Sequence, residues 1–399
     1  MEKYLKSNIC HLPWTSIETR PYGEYRPCCV YNEDILDENG QPYTTKQHSI
    51  DTVMNSKAMK KLRQQFINNE RPDACDTCWK VEDAGNISKR QHMWQKAPIL
   101  GQMHVEKNMV APRFIDLKLG NICNLKCRIC SVFSSSQWVP DMIKLDPNKK
   151  EEWKNANKAG MWPREKSIFL SEIEKWLPYV KFFEITGGEP LMIKEQFDIL
   201  QKCIDLGVAK DIDVHYNTNG TQFPEQALEN IWPHFKRIEL AVSIDDIHKR
   251  FEYQRTNAKW DEVNQNILKF KDSGLQNLKI HICTTINFFN IMYIDELAQH
   301  VQKWDPEFWF INVLSYPEEF DIQQFKKTDK IKIIEKIEDC KIYKNEIKQA
   351  INYLSNDPVK KDPDIDKKRR WKIKAIDNIR KENFKAVFPD LNNLVKIYE

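Results

Sequence analysis

Between residues 110 and 325 the hydrophobic positions switch repeatedly between two periods. Ile115, Leu117 and Leu119 alternate with other residues, as do Ile238, Leu240, Val242 and Ile244. A period of two places such side chains on one face of a strand. Strands are therefore expected at 113–119, 180–186, 211–217, 237–244, 278–285 and 308–314. Helical spacing fills the gaps: Ile193, Phe197, Leu200 and Ile204 run up to Gly207, and Val263, Ile267 and Phe270 run up to Gly274. Ile294, Leu297, Ala298 and Val301 form a third such face. Glycine just past the last turn suits a left-handed helix cap. Strand–helix alternation of this kind predicts an α/β fold on a parallel sheet, open or closed into a barrel.

The flanks read differently. Residues 1–105 are rich in turns and cysteine, with one helix expected over 52–69, where Val53, Met59, Leu62 and Phe66 can share a face. Residues 326–399 are lysine-rich and helical, and 139–167 reads as an insertion into the sheet pattern. Three domains are thus expected: 1–105, a sheet domain over 110–325, and a helical C-terminal extension over 326–399. No internal repeat or low-complexity segment is visible.

Of 399 residues, 41% are hydrophobic and 11% aromatic, enough for a sizeable core and against disorder. A net charge of +3 does not by itself argue for a nucleic-acid partner. Residues 1–10 lack the apolar stretch of a signal peptide, and no apolar run reaches the roughly 18–20 residues of a membrane span. The expected setting is cytoplasmic and reducing, without a membrane partner. There, eleven cysteines point to metal rather than to disulfides.

Directly after the first strand of the sheet domain comes Cys123-Asn-Leu-Lys-Cys127-Arg-Ile-Cys130. Thiolates so spaced on a tight loop can ligate one small metal assembly. Three ligands for four irons leave one iron open to a substrate, and an open position is what makes a metal site catalytic. A three-thiolate zinc site is the alternative by spacing.

The loop resembles the signature of the radical S-adenosylmethionine (SAM) superfamily, Cys-x3-Cys-x2-Cys after a strand. Three later elements are similar to that family too: Gly187-Gly188-Glu189-Pro190, Thr218-Asn219-Gly220-Thr221, and Ser243-Ile244-Asp245, each following or ending an expected strand. Asp246 departs from the glycine common there. The resemblance implies a partial (β/α)6 barrel whose 4Fe–4S cluster is held by Cys123, Cys127 and Cys130. It implies SAM contacts at Gly187, Gly188, Glu189, Asn219, Ser243 and Arg255. The implied activity is reductive cleavage of SAM to a 5′-deoxyadenosyl radical that abstracts hydrogen from a substrate. A low-potential electron donor such as flavodoxin or ferredoxin is the implied partner.

Ahead of this domain stand Cys10, Cys28, Cys29, Cys75 and Cys78. A Cys-x2-Cys pair with two distant cysteines satisfies a closed four-thiolate site, for zinc or 4Fe–4S alike by spacing. The order Cys, Pro-Trp, Gly, Pro-Cys, helix, Cys-x2-Cys is similar to SPASM and twitch modules, here placed before the barrel instead of after it. That resemblance implies one auxiliary 4Fe–4S cluster on Cys10, Cys28, Cys75 and Cys78, with Cys29 the runner-up to Cys28. His11 is expected to be structural, and Cys203, Cys283 and Cys340 to be buried packing.

Relatives with such modules modify peptides, sugars and cofactor precursors, so a peptide or protein is the first substrate expectation. Two alternatives stay open: an RNA-modifying enzyme of the same family, suggested by the basic run 367–370, and a non-catalytic iron–sulfur or zinc protein. Asp245, Tyr216 and His281 are the candidates for a general acid or base.

Overall fold

The computed structural model describes residues 7–83, 87–96, 110–358 and 362–398. The expected boundary at residue 105 lies outside the described residues. Among the described residues there are eight strands: β1 (Ser16–Thr19), β2 (Tyr25–Arg26), β3 (Phe114–Lys118), β4 (Phe182–Thr186), β5 (Asp213–Thr218), β6 (Arg237–Ser243), β7 (Leu278–Ile286) and β8 (Phe308–Val313). Their order is β2-β1-β3-β4-β5-β6-β7-β8, with β2 and β8 at open ends. The pairs β1/β3, β3/β4, β4/β5 and β7/β8 are parallel, whereas β2 runs antiparallel to β1. The α/β expectation is borne out, as a mostly parallel sheet that does not close.

All six expected strands occur, as β3 to β8. β5 starts two residues late because Ala209–Asp211 makes a 3-10 turn first. β1 was not anticipated. Its four residues include Ser16, Glu18 and Thr19, yet all are buried, because pairing with β3 rather than an apolar pattern holds them. The single helix expected over 52–69 is corrected to two, Ile50–Met54 and Lys57–Ile67. The break is chemical: the Ser49 hydroxyl accepts from Thr52 N and the Ser56 hydroxyl from Met59 N, so each serine starts a helix of its own.

Contacts divide the chain into two compact units. The first comprises Met1–Ile122, Asn155–Tyr216 and Pro224–Glu239. Its core holds Ile17, Ile115, Phe183, Val214, Trp162 and Trp232, all at 0% exposure. The second comprises Cys123–Lys154, Asn217–Phe223 and Leu240–Glu399. There Phe288, Phe289, Phe320, Phe384 and Phe388 form an aromatic cluster with ring centroids 4.8–6.4 Å apart. The C-terminal region is helical, with Lys327–Ile337, Lys344–Ser355 and Ile365–Arg380 as its longest elements.

The basic run 367–370 does not present four cations together. Arg369 is buried, pairs with Asp366 at 2.7 Å and lies 4.6 Å from the Phe288 ring. Lys368 pairs with Asp362. Of the three cysteines expected to be buried, only Cys203 is; Cys283 and Cys340 are half-buried, the latter because it stands beyond the end of its helix. No described helix is long and apolar enough to cross a membrane.

Candidate functional site

The loop that opens the second unit is stitched down by its backbone. Lys126 N donates to Thr256 O at 3.2 Å, Arg128 N to Gln254 O at 2.8 Å, and Cys130 N to Cys127 O at 3.0 Å. Leu125 N points at Cys123 Sγ, 3.4 Å away. These bonds hold Cys123 and Cys127 buried and Cys130 half-buried. A hydrogen bond from Cys130, joined by the nearby Arg255 guanidinium, pulls the Cys127 thiol down to about 7 despite burial. The same hydrogen bond pushes Cys130 up, so Cys127 is the more readily ionised thiol of the pair.

Asn219 and Arg255 both reach the cysteines. Asn219 Nδ2 lies 3.9 Å from Cys123 Sγ and 2.9 Å from Asn124 Oδ1, while its Oδ1 accepts from Thr221 N at 2.9 Å. Arg255 Nη1 lies 4.0 Å from Cys127 Sγ, and its Nη2 is held by Asp245 at 2.7 Å. Ser243 is half-buried at the end of β6. The second unit thus gathers the three cysteines with Asn219 and Arg255, and spends the carboxylate of Asp245 on orienting the arginine.

Gly187, Gly188 and Glu189 lie in the first unit, after β4. Both glycines have positive φ, 76° and 47°. A Cβ on Gly188 would stand 2.1 Å from Ile122 O, and one on Gly187 3.0 Å from Lys118 Cβ. Glycine is required because this turn packs on the chain leading into Cys123. Glu189 is buried, donates its N–H to Ile122 O at 2.8 Å, and accepts from Leu191 N at 3.1 Å.

The amino-terminal cysteines separate cleanly. Cys10, Cys28, Cys75 and Cys78 line one small apolar pocket, walled by Leu12, Phe66, Trp79 and Arg90. Burial pushes the Cys10 thiol up to about 12 and raises those of Cys28, Cys75 and Cys78 as well; in Cys10, Cys28 and Cys75 neighbouring sulfurs add to the rise. Four thiolates cannot share so dry a space unless cations neutralise them, so the donor set fits a metal assembly. Cys29 is not part of that lining. Its charged neighbours are Lys89, Glu184, Asp116 and Lys118, and burial pushes it up to about 12. His11 is buried with Nδ1 3.0 Å from Thr15 Oγ1 and its ring against Trp94. Sequence reasoning missed Arg90, which carries no spacing signal and reaches the cavity only through the fold.

Two family models match the chain. One describes the radical SAM superfamily and covers residues 117–301. The other, SPASM, an iron–sulfur cluster-binding domain, covers residues 10–79. The chain thus carries a radical SAM domain and a SPASM domain. Its SPASM domain precedes its radical SAM domain, and the two are domain types that bind iron–sulfur clusters and SAM. Among solved structures, native anSMEcpe with bound AdoMet is similar at 16% identity, over 50% of this chain and 50% of that one, with a TM-score of 0.32. Streptococcus suis SuiB bound to S-adenosylmethionine matches at 16% identity over 85% and 66%, with a TM-score of 0.35. SuiB bound to precursor peptide SuiA matches at 15% identity over 84% and 64%, also with a TM-score of 0.35. The chain spans about half the length of anSMEcpe. No curated protein matches it.

Within the radical SAM domain, the three acid–base candidates are all engaged. Asp245 holds Arg255 and accepts from Thr285 N at 2.9 Å. Tyr216 is buried, donates to Gln196 Oε1 at 2.7 Å, and has its phenol raised by burial. His281 Nε2 lies 3.2 Å from Glu307.

Proposed function

We propose that this radical SAM enzyme cleaves SAM reductively and removes a hydrogen atom from a peptide or protein, with its auxiliary site assisting a net oxidation. One observation supports this above the rest: two thiol sets of different number, three cysteines on one loop and four around one pocket. When bound, the loop's cluster and SAM supply one electron and a 5′-deoxyadenosyl radical. The residues of the chain supply the rest. Arg255, fixed by Asp245, keeps a positive charge against Cys127. Asn219 orders Asn124 beside Cys123. Cys123, Cys127 and Cys130 are the proposed ligands of the reactive cluster, and Cys10, Cys28, Cys75 and Cys78 those of the auxiliary one. Gly187, Gly188, Glu189, Asn219, Ser243 and Arg255 are the proposed SAM contacts. A low-potential donor of the flavodoxin or ferredoxin kind is the proposed electron source. A peptide substrate follows from the SPASM domain, whose relatives modify such chains.

The test is anaerobic reconstitution, then dithionite and SAM, with chromatography for 5′-deoxyadenosine. The product is expected from the wild-type chain and not from Cys127→Ala. A chain loaded with about eight irons that makes none would overturn the reading.

A further inference from the structure

In the first unit, β4 and β5 alternate after their first residue. Phe183, Ile185, Val214 and Tyr216 are fully buried, whereas Glu184, Thr186 and His215 are half-buried. One face of the sheet is therefore apolar and closed, and the other carries the ionisable side chains together with Phe114 and Phe182 and is reached by solvent only in part. Register makes the polar face unusual. Glu18 pairs with Asp116, Asp116 with Glu184, and Glu184 with His215. Four neighbouring parallel strands present ionisable side chains at one level, about 4.8 Å apart.

The charges on this row do not balance. Lys118 pairs with Glu18 and lies 3.5 Å from Asp116 Oδ2, and Lys89 pairs with Glu184 at 3.0 Å. His215 is turned to Glu239 at 3.0 Å, which Arg237 also holds at 2.9 Å. Two lysines thus face the three carboxylates of Glu18, Asp116 and Glu184. Asp116 is 1% exposed, and neither of its oxygens accepts a hydrogen bond from a described residue. Glu18 Oε2 and Asp213 Oδ1 are in the same state, as are the hydroxyls of Ser16 and Thr186. Among the described residues, what this face lacks is donors. A buried carboxylate without a donor is strongly disfavoured unless it keeps its proton or meets a cation.

We propose that this face reads the substrate, and that it takes a primary ammonium group whose N–H donors fill Asp116 and the open oxygen of Glu18. The proposal rests on the enzyme reading above, since it names what that enzyme's substrate carries. Three further observations support it. The excess of one carboxylate calls for a cation rather than a neutral donor. The open oxygens of Asp116 and Glu18 are buried, and the row meets solvent beside them, where 21% of the Lys89 and Lys118 side chains and 18% of Glu184 are exposed. The row also adjoins the oxidising site: Cys29, whose charged neighbours are Asp116, Glu184, Lys89 and Lys118, directly follows Cys28, which lines the auxiliary cavity. A group held here would sit close to where an electron leaves. Burial pushes Asp116 up to about 7, as expected of a carboxyl waiting for a partner.

The probes are acetyl-glycyl-lysyl-glycinamide and its norleucine twin, which differ by the ammonium group. Their affinities for the full, iron-loaded chain are measured by anaerobic titration calorimetry. The lysine peptide is expected to bind at least about tenfold tighter. Asp116→Asn and Glu18→Gln should each bring it to within about twofold of the norleucine peptide, with iron content and circular dichroism as in wild type. Equal binding of the two peptides by wild type, or a preference that survives both substitutions, would overturn the proposal. The wild-type comparison needs no variant, so a substitution that fails to fold leaves the test standing. Wild type that makes 5′-deoxyadenosine but ignores the ammonium group sinks this proposal and spares the enzyme reading; the reverse pattern sinks the enzyme reading alone.

Discussion

Arg128, which stands between the second and third cysteines of the signature loop, donates to Asp377 on the C-terminal helix at 2.6 Å, and both side chains are buried. Around this pair the contacts converge. Tyr253 lies under the guanidinium at 3.6 Å and donates its hydroxyl to Asp377 at 2.7 Å. Phe384 N and the Tyr398 hydroxyl donate to the other carboxylate oxygen. The same helix ends with Arg380, which holds Asp141 at 2.7 Å, and Asp141 in turn holds Lys126 of the loop at 3.0 Å. The C-terminal region is therefore a brace for the cysteine loop.

Breaking that brace should be costly. Removing one partner of a buried pair leaves an uncompensated charge, worth about 3–5 kcal/mol. Asp377→Ala is expected to lower stability by that order in urea unfolding. Asp362→Ala, which breaks the more exposed pair with Lys368, should cost at most about 1 kcal/mol. Equal effects from the two would show that the C-terminal helix does not brace the loop.

The adjacent cysteines should behave differently. Cys28 lines the cavity and Cys29 does not. Iron analysis after anaerobic reconstitution is expected to give about four irons per chain for Cys28→Ala and about eight for Cys29→Ala. The opposite result would place Cys29 in the ligand set.

The glycines after β4 can be separated from an ordinary helix cap. In Gly188→Ala the new Cβ would meet Ile122 O at 2.1 Å with φ at 47°, so the backbone must move. Gly207→Ala, at φ 71° with nothing within 4 Å, should cost only about 1 kcal/mol, the left-handed penalty alone. Thermal unfolding of both variants is the measurement; a Gly188→Ala chain as stable as Gly207→Ala would contradict the close approach.

Asp116 gives a pH dependence of known sign. Its carboxyl is raised by burial from 3.8 to about 7, so between those values the folded chain binds more protons than the unfolded one. Stability from this group is present below about 4 and is lost as pH rises towards 7. Asp116→Asn should therefore gain on wild type from pH 4 to 7 and hold a constant margin above it. A difference between the two chains that does not vary with pH would mean that the carboxyl is not raised.

Much of this enzyme is written locally in its chain. The alternation of Ile238, Leu240, Val242 and Ile244 sufficed to place β6, and the spacing of Cys123, Cys127 and Cys130 to mark a candidate ligand loop, because both depend only on residues a few positions apart. Even the split helix has its marks in Ser49 and Ser56. Other features exist only once distant segments meet. β1 is a strand because β3 lies beside it, not because Ser16–Thr19 is apolar. Cys28 rather than Cys29 faces the cavity because of how the chain turns after β2. Arg128 and Asp377 are 249 residues apart, and the row of Glu18, Asp116, Glu184 and His215 arises from register across four strands. Periodicity and ligand spacing are properties of one segment; pairing, register and the direction of a side chain are set by packing between segments, and that is where this protein keeps its charges.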